Sequence, residues 1–166
     1  LPNRSLVSIG IISFCCMIAE GSMSDWSVNY MENIVGASKT LAPFGLSAFA
    51  TAMTLGRLFG DKARTAFGDK MMITSGGLLT VAGLLLSILF PVDYMTIGAF
   101  FLVGIGLSTI VPIAYSIAGN EPNLPPGVGL AMVTTVGYTG FLVGPPLIGF
   151  VADAYSLTTA FIIVTI

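Results

Sequence analysis

The sequence contains no histidine. That removes the usual imidazole base, the commonest metal ligand and any Ser-His-Asp arrangement. Its two cysteines, Cys15 and Cys16, sit side by side in an apolar run. Two adjacent thiols supply neither a zinc site nor a disulfide framework, so no metal or cofactor is expected. Charge is scarce as well. Six Lys and Arg and eight Asp and Glu make up 8% of 166 residues, against about 25% in soluble domains. A net charge of −2 with six basic residues leaves no basic face for a nucleic-acid backbone, so no nucleic-acid partner is expected. So few charges cannot clothe a soluble domain of this length. What fills the chain is apolar: 55% hydrophobic residues and a mean hydropathy of +0.95. This composition reads as an integral membrane protein in contact with the lipid bilayer.

The charges cluster, and the gaps between clusters mark the spans. Residues 5–19, 40–56, 71–92, 94–120 and 122–152 are uncharged. Apolar character also resumes after Glu20. A helix crossing the hydrocarbon core needs about 20 residues. Runs this long, without polar alternation, read as helices and not as barrel strands. The expected fold class is therefore all-α and polytopic. Five complete helices are placed at about 5–31, 41–60, 71–90, 94–119 and 127–152, with an incomplete sixth at 157–166. Pro122, Pro125 and Pro126 signal a turn before the fifth. About ten apolar residues after Leu157 are too few to cross a bilayer, so the chain is expected to be a piece of a longer protein. Lys62, Arg64 and Lys70, with Arg57 just before them, put the loop after the second helix in the cytoplasm by the positive-inside rule. Arg4 falls on the same side.

Four stretches carry candidate chemistry. The first helix holds Glu20, Asp25 and Asn29. Glu20 falls at membrane depth, in the outer half of its helix, where an ionisable group is costly and marks a functional site or a paired charge. No basic residue is expected deep enough to neutralise it. A proton or transport role and a structural role both stay open. Asp25 lies about 140° round the helix from Glu20 and shares a face with Asn29 instead. Trp26 reads as an interface anchor. The second stretch, Gly56-Arg57-Leu58-Phe59-Gly60-Asp61-Lys62-Ala63-Arg64, mixes signs and glycine at a helix end. Asp61 beside arginines can form a charge latch. In the third, Pro112 interrupts a span and predicts a kink, with Ser108 and Tyr115 as the polar groups nearby. Those two either line a cavity or hydrogen-bond between helices. In the fourth, Gly140 and Gly144 are spaced for close helix contact, and Pro145 and Pro146 then bend the helix.

These stretches in this order resemble the C-terminal half of a major facilitator superfamily transporter, helices seven to twelve with the last one cut. The strongest element is Gly56-Arg57-x-x-Gly60-Asp61-Lys62 with Arg64 and Gly68-Asp69-Lys70. It is similar to the signature loop between the second and third helices of each half. Lys62 and Ala66 stand where the family pattern often has Arg. Glu20-Gly21…Asp25-Trp26 and Gly106-x-Ser108-x-x-x-Pro112 are similar to fucose-permease-like bacterial permeases. The resemblance implies secondary active transport of a small polar solute, sugar-like by that likeness, across a bacterial inner membrane. It implies alternating access against a missing N-terminal six-helix half. Glu20, Asp25, Asn29, Ser108 and Tyr115 become candidates for solute or proton binding. Gly56, Arg57, Gly60, Asp61, Lys62 and Arg64 become a cytoplasmic gate, and Pro112, Gly140, Gly144 and Pro145 hinge or packing positions. An enzyme is not expected. A non-transporting scaffold or receptor subunit on the same fold is the alternative, because fold does not fix function.

Overall fold

Apolar runs broken only by glycine, proline and short charged clusters become helices joined by tight connections. The computed structural model describes residues 4–125 and 127–166, so Pro126 lies outside the described residues. Helix α1 spans Arg4–Tyr30 and continues as a π-helical turn over Met31–Val35. Helix α2 spans Pro43–Phe67, α3 Asp69–Leu89, α4 Asp93–Ser108, α5 Ile110–Gly119, α6 Val128–Ala154 and α7 Leu157–Thr165. Among the described residues, four rods are long and apolar enough to cross a membrane: 4–35, 69–89, 93–119 and 128–154. Helix α2 is long enough at 25 residues but is not among them. Of the five complete spans expected, this one is the more polar.

Three boundaries differ from the expectation for physical reasons. The first rod does not stop near residue 31. Glu32 and Asn33 are carried on the extra π turn, which ends where Gly36 adopts a left-handed conformation. The second helix does not stop at Gly60. Asp61, Lys62 and Arg64 are tolerated in a helix interior, and the helix runs on until Gly68 takes φ +78° and ψ +161°. The signature stretch is therefore mostly helical. The helix break near Pro112 falls at Thr109, three residues earlier. Proline has no N–H to give the carbonyl four residues back, which is that of Ser108. Helix α4 ends at that residue, and α5 starts afresh with Pro112 in its first turn.

Two close pairs of parallel helices organise the bundle. Helix α1 lies along α6, with Gly140 against Phe14, Gly144 against Ile18 and Gly149 against Trp26. A Cβ on Gly140 would sit 2.5 Å from the Phe14 carbonyl oxygen, so the backbones meet only because the side chain is absent. Trp26 is thus a packing group and not simply an interface anchor: its indole N–H donates to the Pro145 carbonyl at 3.1 Å. Helix α2 lies along α4 in the same way, with Gly56 over Ser108 and Gly60 over Thr109. At the Gly36 end, Tyr30 stacks on Phe161 with ring centres 4.4 Å apart, and Phe100 completes the cluster. The Tyr30 hydroxyl donates to the Ser87 carbonyl at 3.1 Å, so this cluster ties α1 to α3, α4 and α7.

The packing account predicts that Gly140→Val lowers stability by about 1–3 kcal/mol through overpacking. Gly77→Ala adds a Cβ in open space, with no heavy atom within 4 Å, and should stay within about 0.5 kcal/mol. Thermal unfolding in detergent measures both. Equal effects would contradict the close α1–α6 approach.

Candidate functional site

The site begins with a carboxylate that the apolar surroundings cannot leave bare. Glu20 stands about 24 Å from Arg4 along α1 and about 22 Å from Val35, close to the middle of the rod. Arg57 stands about 21 Å from the start of α2 and about 15 Å from its end. The two helices run in opposite directions, and the two residues meet. Arg57 Nη2 donates to Glu20 Oε1 at 3.0 Å. The expectation that no basic residue reaches Glu20 is therefore wrong. Arg57 was counted with the charged end of α2. The helix runs on to Phe67, so Arg57 lies about three turns inside it.

The pair is asymmetric. The Glu20 side chain is 20% exposed and that of Arg57 50%. Among the described residues, the contact with Glu20 is the one side-chain hydrogen bond of the Arg57 guanidinium. Helix α5 brings Tyr115 to the same side of α1. Its hydroxyl donates to Met17 Sδ at 3.5 Å, and Met17 lies one turn before Glu20.

Other candidates fall elsewhere. Asp25 and Asn29 are exposed on a different side of α1 from Glu20. Ser108 is buried between α2 and α4, where its hydroxyl donates to the Ile105 carbonyl at 2.7 Å. Asp61 and Lys62 are exposed, and among the described residues neither forms an ion pair. The latch partner of Arg64 is Asp69 instead. Two N–H groups of Arg64 grip both Asp69 oxygens at 2.5 and 2.9 Å, across the turn at Gly68. A hollow of about 100 Å³ connects these levels, lined by Arg57, Asp61, Arg64, Thr109 and Pro112. Arg57 and the charged helix end therefore open onto one small space beside the α4–α5 break.

Residues 9–166 match the sequence model of the Major Facilitator Superfamily. The chain belongs to that superfamily. An uncharacterized MFS-type transporter of Yersinia pestis is 39% identical over 160 residues, 96% of this chain and 42% of the relative. The membrane protein MosC of Rhizobium meliloti is 34% identical, over 99% of this chain and 40% of its own length. An uncharacterized transporter of Sinorhizobium fredii is 32% identical, over 99% of this chain and 44% of its own length. The chain thus spans less than half the length of these curated relatives. Family and apolar helices together make it an integral membrane chain of a transporter family.

The geometry of the pair predicts that its two charges are energetically coupled. In the full-length protein, Glu20→Gln and Arg57→Gln should each destabilise, and the double variant should lose less than the sum. A coupling of about 1 kcal/mol is expected, discounted from buried-pair values because Arg57 is half exposed. A double-mutant cycle on thermal unfolding reads it. Strict additivity would remove the pair.

Proposed function

We propose that the full-length protein is a secondary active transporter that moves a small polar solute by alternating access. Sugar-like solutes are within this class. The N-terminal half of the site would come from a second six-helix bundle, and the membrane would be a bacterial inner membrane, as the bacterial relatives suggest. The observation that carries the reading is the Glu20–Arg57 pair at mid-depth. An ion pair held there costs desolvation that simple packing does not require, and intramembrane ionisable groups mark solute and proton pathways. Tyr115 supports the reading as a neighbouring polar group, while Asp25 and Asn29 would serve a different wall. Glu20 would couple transport to protons by exchanging Arg57 for a proton. The helical stretch from Gly56 to Arg64, with the Arg64–Asp69 clasp, would set the inner gate beside the break at Thr109. Gly140, Gly144 and Pro145 would let α6 roll on α1 as the halves rock.

A solute screen by thermal unfolding tests the class. A true substrate at about 100 times its Kd should stabilise by about 2.7 kcal/mol. With that substrate in liposomes, Glu20→Gln should abolish uptake driven by a pH gradient while leaving exchange across the membrane measurable. Asp61→Asn should slow both by altering the gate. Stabilisation by no small solute favours a scaffold role. Unchanged pH-driven uptake in Glu20→Gln removes the proton role.

A further inference from the structure

We infer that the solute carries a single carboxylate, which Arg57 binds by releasing Glu20, and that one proton then settles on Glu20. This deepens the transport reading and rests on it. The inference starts from unused donors. Arg57 has five N–H groups in a planar fork, and one of them bonds to one oxygen of Glu20. Half the side chain is open, and it lines the hollow shared with Thr109 and Pro112. A planar fork with free donors is suited to a planar two-oxygen acceptor, which it grips with two parallel hydrogen bonds. A neutral hydroxylated solute offers no comparable match.

Charge balance supplies the proton and limits the anion. At rest, Glu20 and Arg57 sum to zero. A carboxylate entering without a proton would leave one negative charge unpaired at mid-depth, where that is expensive. One proton on Glu20 restores neutrality: the anion takes the guanidinium, the Glu20 carboxylate lets go of it, and a proton from solvent binds the freed oxygen. The remaining basic residues are Arg4, Lys39, Lys62, Arg64 and Lys70, none of them in the middle of a span. Arg64 lines the same hollow as Arg57 but is held by both oxygens of Asp69, so a dianion would have no second cation without breaking that clasp. The titratable groups around Glu20 are Arg57 on α2, Cys16 on its own helix and Tyr115 on α5. Cys16 is buried and Tyr115 is a phenol, so Glu20 is the one carboxyl of this set, and it is the group that loses its cation when Arg57 turns to the solute.

The test uses the full-length protein in detergent and matched pairs of probes: lactate with lactamide, gluconate with glucose, and nicotinate with nicotinamide. Thermal unfolding is followed from pH 8 down to pH 6. At least one acid should stabilise where its neutral partner does not, with apparent affinity rising as pH falls. In Glu20→Gln the acid should still bind, roughly tenfold tighter at the higher pH, and its pH dependence should vanish. In Arg57→Gln the acid should have no effect. Arg57→Lys keeps the charge without the fork and should bind roughly tenfold more weakly. This variant also serves if Arg57→Gln does not fold. Acids that still stabilise Arg57→Gln, or acids no better than their neutral partners, would overturn the inference. Neutral solutes alone stabilising, with loss in both variants, would remove the carboxylate and leave the transport site standing. No response to any solute would remove both.

Discussion

The structure depends on one constraint: a carboxylate and a guanidinium held against each other at mid-depth in an apolar helical bundle. Either charge alone would be costly to hold there. Together they need two antiparallel helices at matched height, close enough for a 3.0 Å contact. That requirement fixes how α1 and α2 must stand. The length of α2 follows from it too, because the helix must extend about three turns beyond Arg57 to return the chain to the charged turn at Gly68.

Small residues make that placement possible. Within a bilayer, packing replaces the hydrophobic effect as the force between helices, and it works where backbones approach closely. Glycines of α6 seat α1, while Gly56 and Gly60 seat α2 on α4. Each member of the ion pair is thereby carried by a helix that is closely packed along its length. The break at Thr109 lies beside Gly60 and lines the same hollow as Arg57, so an interruption of the helical backbone adjoins the charged space. A site that must change partners is well served by a stiff back and a yielding neighbour.

Much of this was legible in the residues. The uncharged runs gave the helices, because length and hydropathy alone decide whether a segment can span. The glycine spacing on α6 announced a close contact, and the structure puts Phe14 and Ile18 there. The failures share a cause. Polar residues at helix ends read as loops, yet Glu32 and Asn33 belong to the first rod and Asp61 to Arg64 to the second. Placing the end of α2 at Gly60 made Arg57 look peripheral and left Glu20 without a partner. The shift of the break from Pro112 to Thr109 was recoverable, since a proline frees the carbonyl four residues before it. The Trp26 bond to the Pro145 carbonyl was not, because it joins residues far apart in sequence and depends on the bundle being assembled.

The central claim is the meeting of Glu20 with Arg57, and cross-linking in native membranes tests it most directly. In the full-length protein, Cys15 and Cys16 are first changed to Ala, and Glu20→Cys is combined with Arg57→Cys. A thiol linker with the reach of a bridged Glu–Arg pair should join α1 to α2. The same linker should fail with Asp25→Cys in place of Glu20→Cys, because Asp25 faces another side. If both cysteines are labelled singly but never joined, the pair does not exist. The account of the site would then be wrong.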